Sequence, residues 1–165
     1  MGAEFLDRHA RDGANIRLFT LVDVHTRECV TPAAAPRSRG QDVALLLNEA
    51  VEHRGALPPV TQVGNGTGFT SKALNHWAYW SQGQLDFSRP AKPVDNCVIE
   101  AFDGSLRREC LSQHRFASLA EAQHELARWQ EDYNNHRPHR SLGNEPPACF
   151  ARGGHYVPSR ARLSS

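Results

Sequence analysis

Val60-Thr61-Gln62-Val63-Gly64-Asn65-Gly66-Thr67-Gly68-Phe69-Thr70-Ser71-Lys72 is the stretch whose reading decides the fold. Its first four residues have the composition of a short strand, and the glycine-rich centre reads as a turn. From Thr70, placed to cap a helix with its hydroxyl, a helical pattern runs to Ser81. A strand passing through a tight turn into a helix is a building unit of α/β proteins. Thirty-five residues separate Gly64 from Glu100, which stands in a second helical pattern.

Outward from this stretch the chain keeps the same grammar. Ile16 to Val22 is β-branched and apolar enough for a core strand, and Glu28 to Pro32 reads as its hairpin partner after the His25-Thr26-Arg27 turn. Asp23 is expected to satisfy the amides of that turn. Asp42 to His53 carries apolar residues at helical spacing, ended by Gly55. Leu85 to Phe87 suits an edge strand, and Pro90 to Pro93 must be a loop because proline breaks both helix and ladder. Helices follow from Val94 to Leu111, with Asp95 near the first cap, and from Leu119 to Tyr133. Trp77, Tyr79 and Trp80 are expected to form a core face on the sheet. Strands first, then strand–helix alternation, predict an α/β layer with helices on both faces.

A chain of 165 residues fits one domain with a real core, and its 39% hydrophobic and 22% charged residues are those of a globular protein. No apolar run approaches the ~20 residues of a membrane span, and no secretion signal is apparent. The four cysteines Cys29, Cys97, Cys110 and Cys149 are scattered without a C-x-x-C pair, so they read as reduced thiols of a cytoplasmic protein. A net charge of +1 gives no general signal for nucleic acid. From His136 to Ser165, however, five arginines face one acid, Glu145. The organisation expected is a core over residues 1–150 and a basic, disordered tail over 151–165.

Four blocks in this order resemble the integrase-type catalytic core of insertion-sequence transposases, the second-reading-frame product of insertion-sequence family three. They are Val22-Asp23-Val24-His25-Thr26-Arg27-Glu28, the Gly64 to Phe69 block, the Arg89 to Gly104 region around Glu100, and Tyr133-Asn134-Asn135-His136-Arg137-Pro138-His139-Arg140-Ser141-Leu142-Gly143. The resemblance covers Glu4 to Phe150. It implies a ribonuclease-H-like fold with a mixed five-stranded sheet flanked by helices. It also implies a D-D-35-E triad holding two Mg²⁺ or Mn²⁺ ions for DNA cleavage and strand transfer.

By alignment the triad falls on Glu4, Gly64 and Glu100, the candidate catalytic and metal residues being Glu4 and Glu100. Glu4 replaces the usual aspartate, a shift of roughly 1 Å that can cost about a hundredfold in rate. The alternative, read from the residues alone, is an exposed N-terminal acid on a frayed strand. Glu100 shares a polar stripe with Asn96, Asp103, Gly104 and Arg107, while Val98, Ile99, Phe102 and Leu106 lie to another side. Such a stripe is either the wet face of a helix or a site. Gly64 stands where the family has its second aspartate, so metal binding is expected to be weak or absent and catalysis impaired. Gly68 likewise replaces a usual glutamate.

DNA contacts are expected from Lys72, Arg89, Lys92, Asn96 and Arg107, with Arg108 and Ser71 nearby. His136 and His139 lack the companions of a zinc site, and their block is expected to pack or to face DNA. No helix-turn-helix precedes the first strand here, which suggests a shortened copy that leaves end recognition to a partner chain. The partners implied are DNA and further copies, either of this chain or of an intact transposase, at the nucleoid and away from membranes.

Overall fold

The computed structural model describes residues 1–11, 13, 15–35, 40–54, 60–64, 68–87 and 97–153. Strand β1 (Gly2–His9) pairs antiparallel with β2 (Asn15–Val22), and β2 pairs antiparallel with β3 (Cys29–Ala35). On its other side β1 pairs parallel with β4 (Val60–Val63), and β4 pairs parallel with β5 (Gln84–Phe87). The order β3-β2-β1-β4-β5 makes the mixed five-stranded sheet expected. Helices α1 (Gly40–Arg54), α2 (Lys72–Ser81), α3 (Cys97–Leu106), α4 (Leu119–Asn135) and the short α5 (Pro147–Ala151) complete the described elements.

Side chains alternate across the strands and divide the core in two. Ala3, Phe19, Leu21 and Val63 pack with Val43 and Leu47 of α1 and Leu74 of α2. Leu6, Ile16, Leu18 and Val22 pack with Ile99, Phe102 and Leu106 of α3 and Leu126 and Tyr133 of α4. Strand β2 is thus covered on both faces, which is why its sequence reads as a nearly continuous apolar run. Leu18 is fully buried in the second cluster. Leu18→Ala should therefore cost about 3 kcal/mol, read as a lower urea midpoint with an unchanged slope. A loss below about 1 kcal/mol would contradict this packing.

The edge strand β3 is covered by amides from α4. Gln123 accepts from the Ala34 amide at 2.8 Å and donates to the Pro32 carbonyl at 3.2 Å. Gln130 donates to the carbonyls of Cys29 and Val30, and Asn134 exchanges two 2.9 Å hydrogen bonds with the Cys29 backbone. Backbone groups that would otherwise template another strand are satisfied within the chain.

Three local expectations are corrected. Ser71 rather than Thr70 caps α2, accepting from the Leu74 amide at 3.3 Å. Of the three aromatics on that helix only Trp77 packs on the core, its indole N–H donating to Asn48 of α1 at 2.6 Å, while Tyr79 and Trp80 are 78% and 80% exposed. At 3.6 residues per turn Tyr79 and Trp80 stand about 140° and 240° around the helix from buried Leu74, so they share no face with it. Asp103 does not lie on a wet face of α3 either; it is 5% exposed. Helix α3 itself opens into a π-type turn over Arg107–Leu111, closed by the Ser112 amide on the Arg107 carbonyl at 2.8 Å. The Pro90 to Pro93 loop, the Asp95 cap and the tail beyond Gly153 lie outside the described residues.

Candidate active site

Strand pairing brings position 64 to position 4. Parallel register sets Gly2 beside Gln62 and Ala3 beside Val63, and the Gly64 amide reaches the Ala3 carbonyl at 3.4 Å. Glu4 is half-buried on the central strand, and Gly64 is buried at the end of β4. A Cβ built on Gly64 would meet the Glu4 carboxylate oxygens at 2.6 and 2.7 Å. Gly64 does not use a positive φ, so its backbone would accept an L side chain without strain. The obstacle is the glutamate, whose carboxylate lies in the volume that a side chain at 64 would fill.

Helix α3 packs on the same strand through Ile99. Gly2 allows the close approach, since a Cβ there would meet Ile99 Cδ1 at 2.4 Å. Glu100, the next residue, is exposed. One turn further on, Asp103 points into the core, where Thr20 Oγ1 donates to its carboxylate at 3.1 Å and lies 3.3 Å from the Glu4 carbonyl oxygen. Thr20 faces Glu4 across the β1–β2 pair, so this hydroxyl bridges the strand to the helix. Burial pushes the Asp103 carboxyl up to about 7. The Thr20 hydrogen bond opposes that shift, nearby Glu4 adds to it, and Arg107 opposes it.

Residues 5–93 match the family described as Integrase core domain, and residues 81–147 match a second family of the same description. The chain belongs to the integrase core family. It is 38% identical over 140 residues to an uncharacterized 31.7 kDa protein of insertion element IS407 from Burkholderia multivorans, covering 85% of this chain and 50% of that protein. It is 40% identical to a 39.2 kDa protein of insertion element IS476 from Xanthomonas euvesicatoria, covering 82% and 39%. With the transposase for insertion sequence element IS904 of Lactococcus lactis it shares 26% identity, covering 79% and 53%. The chain thus spans about half the length of these relatives or less. Two solved structures share the fold at 14% identity. One is a simian T-cell lymphotropic virus intasome in complex with PP2A regulatory subunit B56 gamma (TM-score 0.78, 99% of this chain and 58% of that one). The other is the catalytic core domain of BIV integrase (TM-score 0.68, 92% and 94%). The ribonuclease-H-like, mixed α/β architecture is therefore the one expected.

Positions 4, 64 and 100 do not between them supply the three carboxylates that the family resemblance implies, because Gly64 has no side chain. Among the described residues no three His, Cys, Asp or Glu side chains converge so as to hold an ion. The Glu4 carboxylate lies in the space that a side chain at position 64 would fill. Asn65, beside Gly64, lies outside the described residues.

Of the residues expected to touch DNA, Lys72 opens α2 and Arg107 opens the π-type turn, both exposed. Arg89, Lys92 and Asn96 lie outside the described residues. Arg108 donates to Ser105 Oγ at 3.3 Å, and the Ser71 hydroxyl lies 3.0 Å from the Gly68 carbonyl besides capping α2. Asp23 accepts from the amides of His25 and Thr26 at 2.8 and 3.0 Å, which holds Arg27 in the left-handed region at φ 63°.

The 133–143 block is mainly a clamp. Tyr133 packs on Phe102, Trp129 and His139, and Arg137 lies over the Tyr133 ring while its guanidinium pairs with Glu109. These contacts fix α4 and the segment after it against α3. Cys29, Cys97 and Cys110 are free thiols, and burial raises the thiols of Cys29 and Cys110, the latter to about 11. No helix of the described residues is long and apolar enough to cross a membrane.

Proposed function

We propose that this chain is a transposase-type core that engages DNA and assembles with further copies, but whose metal-dependent strand transfer is disabled at position 64. The observation that carries the reading is the Glu4 carboxylate lying where a side chain at Gly64 would stand. A two-metal phosphoryl-transfer site needs several hard oxygen ligands, each placed to a fraction of an ångström. Here Glu4 and Glu100 are the remaining catalytic and metal candidates, with Mg²⁺ or Mn²⁺ held weakly or not at all. Lys72 and Arg107 are the described candidates for phosphate contact, and Arg89, Lys92 and Asn96 complete that set by position in the sequence. The exposed Tyr79–Trp80 pair, ring centroids 5.8 Å apart, favours a protein partner on α2, either another copy or an intact transposase.

The test is a strand-joining assay with labelled element-end duplexes and Mg²⁺, run on this chain, on an intact relative and on mixtures of the two. The chain alone should give no joined product above background, and rising proportions of it should lower the relative's yield. Product from the chain alone at a rate near the relative's would overturn the reading. An undiminished yield in the mixtures would remove the mixed-oligomer part of it.

A further inference from the structure

A cavity of about 400 Å³ lies between the turn after β2, the first turns of α3 and the segment that follows α4. Three arginines, Arg27, Arg137 and Arg140, line it together with His139 and Ser141, and among the described residues no carboxylate does. Arg137 is engaged by Glu109 and by the Tyr133 ring. Among the described residues the guanidinium groups of Arg27 and Arg140 make no hydrogen bond or ion pair. His139 Nε2 is buried without a hydrogen-bond partner, the single such side-chain atom among the described residues. An orphaned buried polar atom costs about 1–3 kcal/mol unless a ligand or water answers it.

The electrostatics name the class of ligand. Burial first, then Arg137 and Arg27, push the His139 imidazole down to about 4. The ring is thus neutral at physiological pH, with Arg137 and Arg27 outweighing the opposing charge of Glu109. An oxyanion would be held by two guanidinium groups that are unengaged among the described residues, which present forked donors to phosphate, and could accept from an imidazole N–H.

Position selects among oxyanions. Val98 and Ala101 of α3 line the same cavity and flank Glu100 in sequence. An anion seated there lies beside the helix turn that carries the candidate site. We propose that this cavity seats a backbone phosphate of the DNA strand that crosses α3. The proposal rests on the DNA reading given above and adds Arg27, Arg140 and His139 to it as a phosphate seat.

The test uses a fluorescein-labelled DNA duplex, with anisotropy read from 50 to 200 mM salt. The chain is compared with Arg27→Ala, Arg140→Ala and their double variant. Arg128→Ala, which removes the same charge from the exposed side of α4, is the control. All are first shown to unfold with the parent's midpoint. The double variant should bind at least tenfold more weakly and lose about 1 from the slope of log affinity against log salt, while the control keeps both. Equal affinity and slope in the double variant overturn the phosphate seat and leave the DNA reading standing. No duplex binding by the unmodified chain overturns the DNA reading itself. Inorganic phosphate, titrated against the His139 NMR signals, separates the two sources of the anion. If phosphate shifts those signals while DNA binding ignores Arg27 and Arg140, the cavity is a free-anion site and the proposal fails.

Discussion

Gly64→Asp should give this chain a measurable affinity for Mn²⁺, and Glu4→Asp/Gly64→Asp should give it a higher one. The ranking follows from the geometry at the end of β4. Position 64 has no positive φ, so aspartate meets no backbone strain there. What it meets is the Glu4 carboxylate, 2.6 Å from the new Cβ, which must swing aside. The single variant therefore crowds two carboxylates into one spot, and like charges at that range oppose each other until a cation neutralises them. Without metal it should be less stable than the parent by about 1–2 kcal/mol, in the range usual for overpacking. Shortening residue 4 by one methylene withdraws its oxygens by roughly 1 Å and relieves the crowding. In calorimetric titrations the parent should give no saturable heat, and the double variant should bind at least tenfold more tightly than the single one. At a metal concentration near 100 times Kd, unfolding should become harder by about 2.7 kcal/mol. The idea is sunk if the parent binds Mn²⁺ as tightly as either variant. It fails too if Gly64→Asp without metal is as stable as the parent and binds as well as the double variant, since Glu4 would then not be the obstacle.

The relation between Glu4 and Gly64 shows where reading the sequence stops. Strand positions and the sheet class were legible because each depends on a local pattern or on motif order. That Glu4 lies against Gly64 depends on parallel pairing between segments sixty residues apart, and on the reach of one methylene; no periodicity encodes either. Asp103 was misread for a different reason. Ile99, Phe102 and Leu106 fall at i, i+3 and i+7 of a core stripe, and Asp103 occupies its i+4 position. Residue type groups it with Glu100 in a polar stripe that reads as either a wet face or a site, whereas the geometry of the apolar stripe places it inside. Tyr79 and Trp80 were the converse case, large aromatics assumed buried although the helical angle from Leu74 sends them to solvent. The amides of Gln123, Gln130 and Asn134 on β3 and the arginines around His139 join segments from opposite ends of the chain. Their polar residue types gave no sign of where they would meet.

Asp103→Asn should be more stable than the parent at pH 8 by roughly 2–4 kcal/mol, and close to it at pH 4. Folding moves this carboxyl from 3.8 to about 7. Between those values the folded state holds a proton that the unfolded chain has released, so stability falls as pH rises through the window and levels above it. Three units at 1.36 kcal/mol each set an upper bound of about 4 kcal/mol. Asparagine keeps the shape and an acceptor for the Thr20 hydroxyl, and it removes the titration. Urea midpoints at pH 4.5, 6 and 8 should therefore diverge steadily between variant and parent, with the other carboxylates cancelling in the difference. Glu4→Gln should remove part of the slope by a separate route, since the Glu4 charge is one of the groups holding the Asp103 pKa up. Parallel curves for parent and Asp103→Asn would mean that the acid is solvated and that α3 does not sit on β1 as described. Divergence in Asp103→Asn, reduced when Glu4→Gln is added, would tie the buried acid to the candidate site. The charge at position 4 would then act on two neighbours at once, filling the place of a lost ligand at 64 and holding a proton on the helix that carries Glu100.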